Sequence, residues 1–233
     1  MQAVSCRDAE ETPFNAPLLG PFLGDQELAA CFSVRADIER MIRFEQALAN
    51  AEATCGLIPA EAAQAINSAC GTFQPDVKLL GEGTARDGVA VPEFVKLLRS
   101  HVGEPHAAHV HIGATSQDLI DTSLVLRLKE VTRILKTRLD DLIELLGDLD
   151  DRFGDNALMG RTRMQAAIPM RASDRIRTWQ FPLQGHRDRL RAMLPALLQL
   201  QFGGAVGTLD KLGDKGRVVS NLLADELGLG AAD

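Results

Sequence analysis

The stretch DLIDTSLVLRLKEVTRILKTRLDDLIELLGDLDDRF, residues 118–153, decides the fold. Leu124, Leu128, Val131, Leu135, Leu139, Leu142, Leu146, Leu149 and Phe153 recur in it at steps of three and four, with no proline and only the tolerable Gly147 inside. Such a spacing predicts one helix, and its 36 residues extend roughly 54 Å at about 1.5 Å per residue. A small domain alone cannot cover it. Leaving those nine apolar side chains in water would forgo roughly 1.5–3 kcal/mol each, more in sum than the net stability of most domains. Partner helices are therefore expected, supplied by other subunits.

Directly before the long helix stands HVHIGATSQDLIDT, residues 109–122. Ser116 or Asp118 is placed to cap the helix with a side-chain oxygen on a free backbone N–H. The same place gathers hydroxyls and free N–H groups at the positive end of a helix dipole, where a carboxylate is stabilised. Cap and anion site are compatible roles. His106, His109 and His111 offer imidazoles, and alternate residues of an extended segment share a face. No matching carboxylate or cysteine cluster accompanies them, so no metal is expected. Ser116, His111 and Asp118 have the residue types of a hydrolase triad but are sequence neighbours without a GxSxG elbow.

Towards the amino terminus, Met41, Phe44, Leu48, Ala51 and Cys55 mark an amphipathic helix over Asp37–Cys55, stopped by Gly56. Pro59 suits the first turn of the next helix, GEGTARDG (residues 81–88) reads as a loop, and Pro92 opens a short helix through Leu98. Towards the carboxyl terminus, helix follows Pro169 to about Phe202, with kinks or breaks expected at Pro182 and Pro195. FGGAVGT, residues 202–208, matches neither GxGxxG nor a P-loop and reads as a tight connection to a last helical piece, Lys211 to Leu227.

Composition agrees. The chain of 233 residues is 45% hydrophobic but only 4% aromatic, with no Tyr, a balance that suits helices better than a sandwich or barrel. With 25 basic and 32 acidic residues its net charge is -7, so nucleic acid is a poor partner. Cys6, Cys31, Cys55 and Cys70 form no CxxC pair, and reduced thiols in a cytoplasm are the plain reading. No stretch approaches a membrane span, and MQAVSCRDAEETPFN is not a leader. The expected architecture is all-α, with a smaller helical domain over 1–112 and a long-helix bundle domain over 113–233.

Three stretches carry a resemblance in combination: GATSQDLIDT (113–122), GRTRMQAAIP (160–169) and LQFGGAVGTLDKLGDKG (200–216). In order and spacing the chain resembles the fumarase/aspartase superfamily from about Pro13 onward, and within it the carboxymuconate cycloisomerase, or lactonizing, family. The resemblance implies a homotetramer whose subunits pool long helices, and active sites assembled from three separated segments of three subunits. It implies that Thr115, Ser116 and Gln117 bind substrate carboxylates, that Thr162 and Gln165 do the same, and that His111 and Ser116 are the catalytic candidates. Family lyases usually have Thr-His in the second segment, where this chain has Arg163. Arginine stays protonated and cannot exchange a proton near neutral pH, but it can hold an additional anion. The bland reading leaves Arg163 in the solvated run with Arg161, Arg171, Arg175 and Arg177.

The third family segment, a flexible loop bearing the serine base, has no counterpart in these residues, so the chain looks like the first half of a family member. The implied reaction is addition of a carboxylate oxygen across a conjugated double bond to give a γ-lactone in aromatic-acid catabolism. Its substrate would be a small anionic polycarboxylate, a tricarboxylate or a muconate with another anionic substituent, and no cofactor or metal is needed. A fumarate-releasing lyase of adenylosuccinate lyase type and a noncatalytic helical scaffold are the alternative readings.

Overall fold

The computed structural model describes residues 17–231, so Cys6 and the rest of the first sixteen positions lie outside the described residues. Contacts divide the described chain into two compact units, residues 17–127 with 200–231, and residues 128–199. The boundary expected after Ile112 lies inside the first unit, shortly before the long helix begins.

In the first unit, α1 (Gly20–Leu23) and α2 (Gln26–Cys31) lead to α3 (Val34–Thr54), α4 (Ala60–Cys70), α5 (Val77–Asp87) and α6 (Val91–Val102). A 3-10 turn, Ala107–His109, then precedes α7 (Ser116–Phe153). The returning chain adds a 3-10 turn, Asp210–Lys215, and α9, Gly216–Leu227. Helix α3 starts where Ser33 accepts the Ala36 N–H at 3.1 Å, and Gly56 follows its end at φ +66°. Its Met41, Phe44, Leu48 and Ala51 are buried as the spacing predicts, and it packs on α4 and α9, which bury Ile66, Val219, Leu223 and Leu227.

GEGTARDG is helix rather than loop. Asp76 caps α5 by accepting the Lys78 N–H at 2.8 Å, and the left-handed Gly88 ends it at φ +79°. Gly83 inside it marks close packing, since a Cβ there would lie 2.5 Å from Cβ of Glu93 on α6. Helical dipeptide signals at both ends outweigh glycines whose role is contact.

The second unit holds the rest of α7, an antiparallel hairpin of β1 (Ala157–Thr162) and β2 (Gln165–Arg171), and α8 (Ala172–Leu197). Nearly every hairpin residue is exposed, so neither strand has a buried face to impose the alternation by which strands are read. Helix α8 runs through Pro182 and Pro195 without the expected break, because each proline deletes one backbone bond while the flanking turns keep theirs. Gln180 also donates to the Ile143 carbonyl at 3.0 Å, and Arg177 pairs with Asp150 at 3.2 Å, holding α8 to α7.

The long helix is present as one element of 38 residues. Its predicted leucine stripe, however, is not buried within one chain: Leu124, Leu142, Leu149 and Phe153 are exposed and the other five half-buried. The positions that are buried are Asp118, Leu119, Thr122, Ser123, Val125, Leu126, Thr132 and Ile134. Among the described residues no helix is long and apolar enough to cross a membrane.

Candidate functional site

The entrance of α7 is pinned by one carboxylate. Asp118 is buried and accepts three backbone N–H groups, from Thr115 at 2.9 Å and from Gly203 and Gly204 at 3.0 Å each. Of the two expected caps it is Asp118 that serves: Ser116 is the first helical residue, and Asp118 reaches back to the N–H of the residue before it in the manner of a capping box. Thr122 Oγ1 donates to the Gln201 carbonyl at 2.9 Å and accepts the Gln201 N–H at 3.2 Å. Ser123 donates to Asp37 Oδ1 at 2.6 Å. The inward residues of TSQDLIDTS thus staple three chain segments together, leaving Thr115 and Ser116 half-buried and Gln117 exposed beside Asp121, to which it donates at 2.7 Å.

The glycine-rich connection is the counterpart of that staple. A Cβ on Gly204 (φ +69°) would lie 2.9 Å from the Gly113 carbonyl oxygen, and one on Gly113 (φ +71°) would lie 2.6 Å from Cδ2 of Leu212. Both positions require glycine for conformation and for space.

His111, also left-handed at φ +63°, places Nδ1 2.5 Å from Oε1 of Glu45 on α3. Glu45 is 1% exposed, and Glu52, two turns further along α3, is 0% exposed with neither carboxyl oxygen hydrogen-bonded. Burial, and then the negative charge of Glu45, push the Glu52 carboxyl up to about 9. The same two causes push the Cys70 thiol up to about 12. His111 Nδ1 is taken by Glu45 and both Asp118 oxygens by backbone N–H groups, so His111 and Asp118 are not paired and Ser116, His111 and Asp118 do not form a hydrolase triad. His106 precedes the 3-10 turn and His109 is its last residue. Among the described residues no group of three or more His, Cys, Asp or Glu is placed to hold a metal ion.

Glu45 and Glu52 are the residues that the sequence reading passed over. A signal was there: both fall beside the Met41–Phe44–Leu48–Ala51–Cys55 stripe, so two carboxyls seven residues apart accompany a buried helix face.

The second segment lies in the second unit. Thr162 and Gln165 are Cα partners at the end of the hairpin, joined by Arg163 (φ +44°) and Met164 (φ +68°). Positive φ at both central residues is the two-residue turn that matches strand twist, here made without glycine. Thr162, Arg163 and Gln165 are all exposed. Arg161 braces the turn by donating to the Met164 carbonyl at 3.3 Å. The structure thus groups His111, Thr115, Ser116 and Gln117 in one unit, and Thr162, Arg163 and Gln165 in the other.

Hydroxyls, an amide and the first N–H groups of a long helix make the first segment fit to receive carboxylate oxygens. Considered by itself, the hairpin tip offers a guanidinium, a donor suited to an anion.

The chain matches the profile of the Lyase family over residues 24–232. It is 42% identical over 205 residues to a 3-carboxy-cis,cis-muconate cycloisomerase of Pseudomonas aeruginosa, covering 87% of this chain and 45% of that protein. An adenylosuccinate lyase of Pyrococcus abyssi is 32% identical over 206 residues, covering 88% of this chain and 46% of the relative. Among solved structures, the 3-carboxy-cis,cis-muconate lactonizing enzyme from Pseudomonas putida superposes with a TM-score of 0.87 at 36% identity, covering 94% of this chain and 50% of that one. The chain spans about half the length of the relatives it matches. By profile, identity and superposition it belongs to the lyase family of the fumarase/aspartase fold.

Proposed function

We propose that this chain serves a cycloisomerase, an intramolecular lyase of aromatic-acid breakdown that closes 3-carboxy-cis,cis-muconate to 4-carboxymuconolactone. A carboxylate oxygen adds to the conjugated double bond and a C–O bond forms. The electron pair moves onto the neighbouring carboxylate as an aci-dianion, and a proton is then delivered to the adjacent carbon. No redox change occurs, so the reaction calls for no cofactor. Charge grows on carboxylate oxygens, and donors fixed in advance stabilise it most. The observation that carries the reading is the pinned entrance of α7, where Asp118 holds Thr115, Ser116 and Gln117 at a helix N-terminus.

Thr162 and Gln165 are assigned to a second carboxylate, and Arg163 to the third anionic group, whether carboxylate or, in a related substrate, sulfonate. Arg163 favours this chemistry over a fumarate-releasing lyase, because it stands where the resemblance gives such lyases a proton-exchanging histidine. The assembly is a homo-oligomer, a tetramer in this reading, supported by the exposed Leu142, Leu145, Leu149, Phe153, Trp179 and Phe181 of the second unit.

The native protein, given 3-carboxy-cis,cis-muconate, is expected to bleach the diene's ultraviolet absorbance and yield the lactone by NMR. Absence of that change together with fumarate release from adenylosuccinate would replace the proposal with the lyase reading. Absence of both, with no saturable muconate binding, would leave a helical scaffold.

A further inference from the structure

His111 of the proposed site meets a buried carboxylate on α3. An ionised carboxylate only accepts hydrogen bonds. Glu45 lies 2.5 Å from His111 Nδ1 and is 1% exposed, so it is a fixed acceptor with no solvent to compete for it. A neutral imidazole in that contact must carry its proton on Nδ1, which leaves Nε2 bare, the reverse of the tautomer that an imidazole prefers free in water. The His111 side chain keeps 11% exposure while its Glu45 partner has almost none, so what solvent contact the pair has belongs to the ring.

Glu52 makes the arrangement asymmetric. Its carboxyl, without a hydrogen-bond partner and pushed up to about 9, is neutral near pH 7, which leaves the charge of this buried face on Glu45. Cys70, pushed up to about 12, adds no charge there either.

We propose that Glu45 is a positioning residue that fixes His111 as the Nδ1–H tautomer and thereby makes Nε2 the atom that takes and returns a proton at the site. When Nε2 gains a proton the ring becomes cationic, and the Glu45 carboxylate stabilises that charge. In the lactonizing direction the Nε2–H bond breaks as the carbon–hydrogen bond forms on the aci-dianion, a transfer assigned here to His111 rather than to the serine of the family's loop, and the ring returns to neutral. The catalytic part of this inference rests on the cycloisomerase reading, whereas the tautomer assignment does not.

The test begins with the nitrogen-15 spectrum of His111 in the folded chain. The expected pattern at a pH where the ring is neutral is a protonated Nδ1 and a bare Nε2. Glu45→Gln, whose amide both accepts and donates, is expected to shift the population towards Nε2–H. A wild-type ring protonated on Nε2, or a tautomer unchanged in Glu45→Gln, overturns the proposal, and the wild-type spectrum alone decides the first point if the variant does not fold. In the native protein, Glu45→Gln is expected to lower kcat roughly 10- to 100-fold, part of the about 10²–10⁴ that general acid–base catalysis supplies, with KM little changed. An unchanged kcat overturns the positioning role. A wild-type protein with the assigned tautomer but no lactonizing activity would count against the cycloisomerase reading alone.

Discussion

Replacing Glu52 by glutamine isolates a strongly shifted buried titration. The carboxyl ionises at its ordinary value of 4.5 in the unfolded chain and at about 9 in the folded one. Between those values the folded state holds a proton that the unfolded state has released, so raising the pH favours unfolding. The stability that this proton contributes is complete below the lower value and lost as pH rises through the upper. Each unit of that window is worth about 1.4 kcal/mol, so between about pH 5 and pH 8 wild type should lose roughly 4 kcal/mol that Glu52→Gln keeps. Because glutamine matches the carboxyl in size and cannot ionise, other groups titrate alike in both proteins and cancel in the comparison. Urea unfolding at equal protein concentration across this pH range measures the difference. Parallel stability curves for the two proteins would refute the reasoning, and with it the neutral state assigned to Glu52.

Asp118→Ala leaves three backbone N–H groups without their carboxylate and should cost about 3 kcal/mol or more, with hydrogen exchange at Gly203 and Gly204 accelerated first. Gly113→Ala forces a side chain into a left-handed residue and against Leu212, and should destabilise by about 1–3 kcal/mol from backbone strain alone, read by thermal unfolding. Arg163→Met at the exposed hairpin tip should leave the melting temperature in place. It should weaken 3-carboxy-cis,cis-muconate binding by roughly 1.5–3 kcal/mol in calorimetry; unchanged affinity would return Arg163 to the solvated arginine run. Leu142→Glu with Leu145→Glu should convert an oligomer to smaller species in light scattering, and an unchanged mass would remove these residues from the interface.

Helices were legible wherever an apolar stripe met a stop signal, as in α3, where the stripe and Gly56 both lie in the sequence. Composition misled at α5, because glycine in a helix for close approach to Glu93 looks the same in sequence as glycine in a loop. The hairpin escaped for the opposite reason, since a strand pair exposed on both faces has no pattern to write. At the candidate site, the segments were readable from their motifs, but which of their side chains turn inward was not. Asp118 and Thr122 turn inward to distant backbone at Gly203 and Gln201, and no local spacing announces a partner some eighty positions away. Glu45 is the same problem with a clue attached: its charge beside a buried stripe calls for a partner, and only the fold shows that the partner is His111.

The two left-handed residues at the hairpin tip set this protein's robustness against the anion binding proposed for Arg163. Backbone preference at such a turn favours Asn-Gly, and relieving one strained residue is worth on the order of 1 kcal/mol. Laboratory evolution for heat tolerance alone should therefore drift towards asparagine at Arg163 and glycine at Met164. The winners of such a selection would be sturdier proteins stripped of the guanidinium, and a screen that scores survival alone would discard the anion contact proposed for Arg163 while appearing to improve the protein.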